Sequence, residues 1–416
     1  MIVLHIISGS LNSGAGKGAF LLHKQLLKLN IDSRILVLKG QSSKELKIDV
    51  LLNSPMKIYF YKFIRIIDNL IGYILSFEKS NNFDLGLFAI GLLKHPWYLE
   101  ADIIHLHWIQ GILSINQISK IDKPLIWTMR DMWPMTEGYH YYVKENDNNL
   151  FINNFLIRKI RGYILDKLLR YKEKKFNKVN ILFVGISNWI SSEAKNSKIL
   201  KKQKIKTILN VVDINNFYPN QKNFLRKNYP IDIDKKIILL GATHLDRKYK
   251  GFHKFIEAIS YLDPKDIEIV TFGEISKKAL NKINNFSVTN LGIISSSKKL
   301  SSIYSSSYLF AAPSILEAFG KTIGESMLCG TPCVVFGNSG PSELIIHKYT
   351  GFVANNTCPK SFADGLKWLL NLDQKKYEKI SINCINHAKA NYNPAIAAEK
   401  YLQNYKLLKV TPFNKI

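Results

Sequence analysis

The segment between Tyr308 and Phe336 places two glutamates around the start of a short helix that lies between two apolar strands. Glu317 falls in the loop after the first predicted strand, and Glu325 lies on the helix eight residues later. Charged residues at the carboxyl end of a strand in an open sheet usually border the ligand crevice. The segment therefore predicts an α/β sheet with an acid-lined binding site, the alternative being that both acids are solvated surface groups.

The same helix start combines features that suit phosphate with features that suit hydroxyl groups. Free N–H groups and the helix dipole attract phosphate at such a start, and Gly320 lets the backbone approach a ligand closely. Carboxylates in turn accept hydrogen bonds from vicinal hydroxyls. Because a nucleotide sugar presents both kinds of group, the pattern outlines a nucleotide-sugar site.

Four further segments stand in a fixed order along the chain. They are His105-Leu106-His107-Trp108, Trp127-Thr128-Met129-Arg130-Asp131-Met132-Trp133, Gly185-Ile186-Ser187-Asn188-Trp189, and Asn210-Val211-Val212-Asp213 with Phe217 and Pro219. With the two acids, which resemble a Glu-x7-Glu signature, the ordered set closely resembles glycosyltransferase family 4, whose members are retaining enzymes with the GT-B fold. The first two segments resemble a subgroup that builds bacterial surface polysaccharides of the colanic-acid or O-antigen type.

The domain organisation follows from the length of the chain and from the alternation of predicted strands and helices. At 416 residues the chain is too long for one core, and its alternating strands and helices favour parallel sheets. The resemblance implies two doubly wound Rossmann-like α/β domains that face a cleft. We expect an acceptor-side domain over 1–212 and a nucleotide-sugar-binding domain over 213–393, with a C-terminal helix, about 394–416, that crosses back to the first domain.

Two cations are expected to hold the donor diphosphate. Lys250-Gly251 matches a Lys-Gly pair that the family carries after the first strand of its second domain, and Arg247 is the candidate for the accompanying arginine. Two cations offset the charge of a diphosphate and stabilise it further as it leaves. An exposed basic turn is the alternative.

The resemblance assigns the remaining donor contacts in the second domain. Glu325 is expected to bind the ribose diol and Glu317 the hydroxyls of the transferred sugar, which makes Glu317 a catalytic candidate as well. Backbone N–H groups of Phe319, Gly320 and Lys321 are expected to face the sugar or the phosphate. Gly273 occupies the position of the family's base-binding loop.

In the first domain, Gly14-Ala15-Gly16-Lys17-Gly18 is predicted to form a loop between the first strand and a helix from Gly18 to Leu29. Its spacing fits neither a Walker A loop nor a dinucleotide fingerprint. The family places a glycine pair here, so Gly14 and Gly16 are candidate donor contacts. A plain tight turn explains the segment nearly as well.

The acceptor side departs from the family pattern. Many relatives carry a His-Asp pair where this chain has Arg130-Asp131. We expect Asp131 to orient the acceptor hydroxyl and Arg130 to contact phosphate, and both are catalytic candidates. His107 and His140 are alternatives, because either could take the place of the missing histidine.

The expected reaction is retaining transfer of a hexosyl unit from a nucleotide diphosphosugar to a growing, lipid-linked polysaccharide. Because no first-domain acid stands clearly in a nucleophile's place, same-face substitution is favoured over double displacement. Neither a cofactor nor a metal is expected, since the two cations take the place of a divalent ion at the diphosphate. The alternatives are an inert scaffold of a polysaccharide assembly complex and a sugar-nucleotide epimerase.

The charge balance points to an anionic partner. The formal net charge is +26, and many basic residues lie on one helix-like stretch: Arg158, Lys159, Arg161, Lys167, Arg170, Lys172, Lys174, Lys175 and Lys178. Basic amphipathic helices bind anionic lipid, so we expect contact with a membrane surface, solvated helix faces being the alternative. No nucleic-acid recognition pattern accompanies the charge. With neither a signal peptide nor a spanning segment recognised, the expected location is cytoplasmic or peripheral on the inner membrane face.

Overall fold

The computed structural model describes residues 1–11, 13–76, 83–141 and 155–410. Its contacts divide the chain into two compact units, Met1–Leu209 with Ala397–Ile416, and Asn210–Ile396. The sequence-based boundary at residue 212 lies close to this division. Each unit is built on a parallel sheet, which confirms the predicted pair of Rossmann-like α/β domains.

The first unit contains a seven-stranded sheet in the order β3-β2-β1-β4-β5-β6-β7. The strands are β1 (Ile2–Ile7), β2 (Asp32–Val37), β3 (Ile48–Val50), β4 (Ile103–Leu106), β5 (Leu125–Met129), β6 (Ile181–Gly185) and β7 (Lys204–Thr207). β1 pairs in parallel with both β2 and β4. The strand order therefore reverses between β1 and β4, and in doubly wound sheets ligands bind at the carboxyl ends beside such a switch point.

Helices connect these strands. They are α1 (Gly14–Lys28), α2 (Pro55–Ser76), α3 (Pro96–Glu100), α4 (Ile115–Ile118), α5 (Phe155–Phe176) and α6 (Asn188–Asn196), with a 3-10 turn at Trp133–Met135. Among the described residues, none of these helices or those of the second unit is both long enough and apolar enough to cross a membrane.

The second unit repeats the arrangement with six strands in the order β10-β9-β8-β11-β12-β13. The strands are β8 (Lys236–His244), β9 (Ile267–Glu274), β10 (Ser287–Asn290), β11 (Leu309–Ala312), β12 (Cys333–Phe336) and β13 (Gly351–Ala354). β11 pairs in parallel with β8 on one side and β12 on the other. The switch point of this sheet consequently lies between β8 and β11.

The helices of the second unit pack around this sheet. They are α7 (Phe224–Asn228), α8 (Phe252–Ile259), α9 (Lys277–Leu280), α10 (Ser297–Ser305), α11 (Lys321–Leu328), α12 (Pro359–Leu370), α13 (Gln374–Asn391) and the first residues of α14 (Pro394–Val410). Phe255 of α8 and Phe362 of α12 share one buried cluster with Ile238 of β8 and Phe336 of β12. Burial of these side chains covers one face of the sheet and supplies the main hydrophobic stabilisation of the unit.

Most of α14 belongs to the first unit. Tyr401 Oη lies 2.7 Å from Thr128 Oγ1 on β5, and Tyr405 Oη lies 2.6 Å from His105 Nδ1 on β4. These buried hydrogen bonds fix the helix on the first sheet. Residues 411–416, which the predicted C-terminal helix included, lie outside the described residues.

Candidate active site

The loop between β11 and α11 carries the first acid in a closely packed turn. Gly320 precedes α11 with φ of 94°, and a Cβ there would meet Ile323 Cδ1 at 2.6 Å. Gly340 donates its backbone N–H to the Glu317 carbonyl at 3.0 Å. Because positive φ is strained for any other residue, Gly320 is required for the abrupt change from loop to helix.

Glu317 is held by two neighbours in this loop. Its carboxylate lies 3.1 Å from Lys250 Nζ and accepts a 2.9 Å hydrogen bond from Ser314 Oγ. The side chain is only 20% exposed. Glu317 and Lys250, predicted separately from the sequence, are therefore in direct contact, whereas Ser314 was missed because a serine in a loop carries no signal of its own.

The switch point explains why Lys250 reaches Glu317. Lys250 ends the 3-10 turn that follows β8, and Ile315 of the β11 loop donates its N–H to the Tyr249 carbonyl at 2.8 Å. Gly251, with φ of 69°, lies so close to the β11 loop that a Cβ would meet the Pro313 carbonyl at 1.9 Å. The glycine of the predicted Lys-Gly pair thus brings the two loops together.

Glu325 lies inside the second unit, on α11. Its residue is 5% exposed, and Tyr304 of α10 donates its hydroxyl to the carboxylate over 3.4 Å. Burial, and next the negative charge of Glu325, raises the pKa of the Tyr304 hydroxyl well above its usual value. Tyr304 therefore stays protonated and remains a donor to Glu325. The predicted ribose-binding acid is shielded from bulk water.

The residues between the two acids could contact a ligand through their backbone more than through their side chains. Phe319 is 2% exposed and packs edge-on against Tyr392 with the ring centroids 5.4 Å apart. Lys321 is the half-buried first residue of α11. The Ile323 and Gly324 N–H groups bond to the Gly320 carbonyl at 3.0 and 3.4 Å. The positive end of the helix dipole at this start favours an anion.

A cavity of about 570 Å³ lies beside the β8 and β9 loops. Its lining includes His244, Arg247, Gly273, Glu274 and Asn290. Gly273 has φ of 98°, and a Cβ there would meet the Ala242 carbonyl at 1.7 Å. His244 Nδ1 lies 2.5 Å from the Glu274 carboxylate at the rim. The structure therefore gathers predicted residues Arg247 and Gly273 at one cavity, together with a His–Glu pair that the sequence did not indicate.

Gly14 and Gly16 do not form the predicted loop. The helix begins at Gly14, four residues earlier than expected, because Ser13 Oγ caps it by accepting the Gly16 N–H at 3.1 Å. A Cβ at Gly16 would meet the Ser10 carbonyl at 2.1 Å, whereas Gly14 faces open space. Gly16 is thus a packing glycine, and the Gly14 region remains a donor-site candidate only as the first turn of a helix.

On the first unit, Asp131 follows β5 and pairs with one of the alternative histidines. Its Oδ2 lies 2.7 Å from His140 Nδ1, and its Oδ1 accepts the Trp133 N–H at 3.0 Å. Gln110 Nε2 lies 3.4 Å from the same His140 nitrogen. The pair is mostly shielded, with side chains 14% and 9% exposed. Asp131 and His140 therefore form an acid–imidazole pair that local spacing alone did not specify.

Arg130 points into the neighbouring histidine cluster. One of its terminal nitrogens lies 3.3 Å from His107 Nδ1, and burial lowers the pKa of the guanidinium to about 10. The guanidinium remains charged at neutral pH. Arg130 and His107 thus lie together, separate from the Asp131–His140 contact.

His5, His105 and His107 form the only cluster among the described residues with metal-ligand proximity. His105 uses both nitrogens, on Tyr405 Oη and Thr128 Oγ1, and His5 Nδ1 lies 3.0 Å from His107 Nε2. The His5 and His107 rings are stacked, with 17° between their planes. The nearby Arg130 cation also opposes a metal ion, so the cluster is better suited to a hydrogen-bonded core.

A basic residue predicted to face lipid instead supports the acceptor-side loop. Lys172 of α5 is fully buried, and its Nζ donates to the Trp133 carbonyl at 2.6 Å and to the Thr136 carbonyl at 3.0 Å. The same nitrogen lies 3.5 Å from the Trp133 ring centroid. Burial lowers the pKa of this amine to about 7. The membrane prediction was wrong for Lys172, which holds the segment between Asp131 and His140.

Residues 221–387 match the family model described as glycosyl transferases group 1. A D-inositol 3-phosphate glycosyltransferase from Corynebacterium diphtheriae is 28% identical over 335 residues, which are 76% of this chain and 73% of that protein. An uncharacterized glycosyltransferase from Methanocaldococcus jannaschii is 24% identical over 376 residues, 80% of this chain and 92% of that protein. The matched segment contains every donor-site candidate of the second unit.

Solved structures with the same fold cover nearly the whole chain. Sucrose-phosphate synthase from Thermosynechococcus elongatus has a TM-score of 0.70 at 14% identity and covers 98% of this chain and 99% of its own. HepE from Anabaena, solved with UDP and glucose, has a TM-score of 0.65 at 15% identity, and the match covers 98% of this chain and 99% of that chain. WaaG, a glycosyltransferase involved in lipopolysaccharide biosynthesis, has a TM-score of 0.61 at 14% identity, and the match covers 96% of this chain and 99% of that chain. Residues 221–387 are thus similar to a group 1 glycosyltransferase domain, and the chain as a whole shares the GT-B fold of these solved structures.

Proposed function

We propose that the chain is a retaining hexosyltransferase that uses a nucleotide diphosphosugar donor. The observation that carries the proposal is the contact between Lys250 and Glu317, which joins a cation for phosphate to an acid for hydroxyls at a sheet switch point. Glu325 lies on the adjoining helix with its carboxylate shielded from water. HepE, a protein of the same fold, was solved in complex with UDP-glucose, which supports a donor of this class.

Each donor group has a matching feature in the second unit. The base fits the cavity beside Gly273, the ribose diol fits Glu325, and the diphosphate fits Lys250 and Arg247. The transferred sugar then lies against Glu317 and the backbone N–H groups of residues 319–321. The 3.1 Å contact between Lys250 and Glu317 supports a donor position in which the bond between sugar and phosphate lies near both side chains.

The proposed chemistry needs neither metal nor cofactor. As the bond from the anomeric carbon to the β-phosphate oxygen breaks, Lys250 and Arg247 offset the growing negative charge on the phosphate. The acceptor hydroxyl attacks from the same face and gives its proton to the leaving phosphate oxygen. Substitution on one face retains the anomeric configuration and requires no protein nucleophile.

The acceptor is proposed to be a lipid-linked oligosaccharide in the synthesis of a bacterial surface polysaccharide. The support is the resemblance of the segments at 105–108 and 127–133 to that subgroup and the fold shared with WaaG, which is involved in lipopolysaccharide biosynthesis. Asp131, oriented by His140, is proposed to accept a hydrogen bond from the attacking hydroxyl. A cytoplasmic, peripheral location follows from such an acceptor, because nucleotide sugars and lipid carriers meet at that surface.

The test is a thermal-shift panel with UDP-, GDP-, ADP- and dTDP-sugars. Saturating donor at about 100 times its dissociation constant stabilises the folded state by about 2.7 kcal/mol, a shift of several degrees for a domain of this size. We expect one nucleotide class to raise the melting temperature of the wild type and not of Glu325→Ala. If no sugar nucleotide shifts the wild type, the donor assignment is wrong.

A sugar-nucleotide epimerase remains the second candidate, since it would bind the same donor. Product analysis separates the two. A transferase given donor and an extract of lipid-linked acceptor releases nucleoside diphosphate in proportion to a new lipid-linked product, whereas an epimerase converts the donor with no acceptor present. The family match disfavours the inert scaffold.

A further inference from the structure

Helix α2 of the first unit is amphipathic, but its apolar side faces outward and its polar contacts lie on the inner side. Its inward positions are Ile64, Asp68, Gly72, Leu75 and Ser76, which include a carboxylate. Its outward positions carry most of its large apolar side chains. Eight of them are between 47% and 78% exposed: Met56, Tyr59, Phe60, Phe63, Ile66, Leu70, Tyr73 and Ile74. A surface helix of a globular protein normally shows the opposite pattern.

The orientation of α2 is fixed by polar contacts on its inner side. Arg65 donates to Asp68 at 2.8 Å and also pairs with Asp84. Asp68 in turn accepts the Leu85 N–H at 3.3 Å, and Asp84 accepts the Gly86 N–H at 2.8 Å. Rotation of the helix that buried its apolar face would break this network. The apolar face is therefore held outward by the fold.

The exposed charged side chains of α2 have one sign, whereas the neighbouring part of α5 also carries one partly exposed acid, Asp166, which pairs with Arg170 at 2.6 Å. Lys57 and Lys62 are exposed on α2, while Asp68, the helix's one acid, is buried. α5 adjoins the end of α2, because Arg161 donates to the Leu75 carbonyl at 2.5 Å. Near Arg161, α5 exposes further basic and apolar side chains: Arg158, Lys159, Ile160, Tyr163, Ile164 and Lys167.

We propose that the outward face of α2, extended by the neighbouring part of α5, inserts into the headgroup region of an anionic phospholipid bilayer. The 22-residue helix would lie flat, along roughly 33 Å of its axis. Aromatic and aliphatic side chains would enter the acyl boundary, while the lysine stems extend and keep their ammonium groups among lipid phosphates. This narrows the sequence-based expectation of a membrane contact through basic amphipathic helices, because the apolar face of α2, more than the basic stretch of α5, supplies the contact.

A bilayer fits this surface better than a protein partner does. Apolar residues are spread along the helix from Met56 to Ile74, and contiguous exposed apolar surface of this kind marks an interaction site. The lysines within and beside this apolar surface can pair with lipid phosphates at any position on an anionic bilayer. A protein partner would need acidic residues at matching positions. The surface is independent of the donor chemistry, so its failure and that of the proposed function are distinguishable.

The experiment is flotation of the full chain with vesicles of phosphatidylglycerol and phosphatidylcholine, compared with phosphatidylcholine alone. We expect binding to the anionic vesicles. Replacement of three outward side chains, Phe60→Ser, Phe63→Ser and Ile66→Ser together, should reduce the bound fraction at least about tenfold. Lys57→Glu with Lys62→Glu should weaken binding only to the anionic vesicles. The matched control replaces exposed apolar residues elsewhere, Tyr261→Ser, Ile382→Ser and Leu407→Ser, and should bind like the wild type.

Three outcomes would overturn the proposal. The first is absence of vesicle binding by the wild type. The second is equal binding by the α2 triple variant, with melting temperatures showing that both proteins are folded. The third is a wild-type dimer that dissociates in the α2 variant without vesicles, because the face would then join two copies of the chain. Donor-induced thermal shifts, which α2 does not affect, report separately on the sugar-nucleotide site.

Discussion

Lys250 Nζ lies 3.1 Å from the Glu317 carboxylate, so the side chains proposed to bind the diphosphate and the transferred sugar form an ion pair with each other. Both are about four-fifths shielded from solvent, at 19% and 20% exposure. In the proposed donor complex, the pair would hold the lysine within reach of the sugar–phosphate bond. Donor phosphate would share Lys250 with Glu317, and the Ser314 hydroxyl would continue to hold the acid.

Replacing Lys250 with alanine is expected to weaken donor binding about tenfold to a hundredfold, since a hydrogen bond to a charged group contributes roughly 1.5–3 kcal/mol. Turnover should fall further, because the charge on the leaving phosphate grows in the transition state. Titration of the nucleotide and steady-state kinetics measure the two effects. The control is Lys254→Ala, a nearby lysine that pairs instead with Glu257. Similar losses in both variants would contradict a specific role for Lys250.

Glu325→Gln tests the buried acid while keeping its shape. The amide still accepts a hydrogen bond from Tyr304 but loses the charge that favours two ribose hydroxyls. We expect nucleotide affinity to drop about tenfold or more, with a melting temperature close to that of the wild type. Calorimetric titration with nucleoside diphosphate checks this. Unchanged affinity together with a much lower melting temperature would make Glu325 a structural residue.

The sequence predicted those parts of the fold that local apolar runs determine. β1 (Ile2–Ile7) and β12 (Cys333–Phe336) can be recognised in the sequence because each is a buried strand of a parallel sheet, and such a strand appears as a continuous apolar run. The start of α1 was misplaced, because Gly14 and Gly16 resemble turn residues and the cap at Ser13 overrides that preference.

The candidate site residues could be predicted where they belong to one short motif of adjacent elements, and could not be predicted where they depend on contacts between distant segments. Glu317 and Glu325 follow from a strand, a glycine and a helix that are adjacent in the sequence. Lys172 was counted with the basic residues of a helix face that contacts either lipid or solvent, because its carbonyl partners lie in a segment 36 and 39 residues away. Contacts of that kind depend on packing between elements, which the spacing of charges on one helix does not encode.

Asp131→Asn should separate acceptor chemistry from donor binding. A carboxylate has two oxygens that can accept hydrogen bonds, one from His140 Nδ1–H and one from the acceptor hydroxyl, whereas an amide has only one such oxygen. We therefore expect kcat to fall about a hundredfold. Donor affinity should stay within about twofold of the wild type, since the proposed donor contacts lie in the second unit. His140→Asn should show a smaller loss in the same direction. A loss of donor affinity equal to the loss of kcat would contradict an acceptor-side role for the pair.

The buried histidines predict how stability depends on pH. Burial, followed by the electrostatic influence of the neighbouring His5 and Arg130, lowers the pKa of His105 well below its usual 6.5. The folded state therefore holds the imidazole neutral, while the unfolded chain takes up a proton. Stability is thus full above about pH 7 and falls as pH drops through 6.5, by about 1.4 kcal/mol per pH unit for each such group. His105→Asn should reduce the slope of unfolding free energy against pH by that amount between about pH 6 and pH 5, measured by urea denaturation. The exposed His253→Asn is the control, and equal slopes in the wild type and His105→Asn would contradict a neutral buried imidazole.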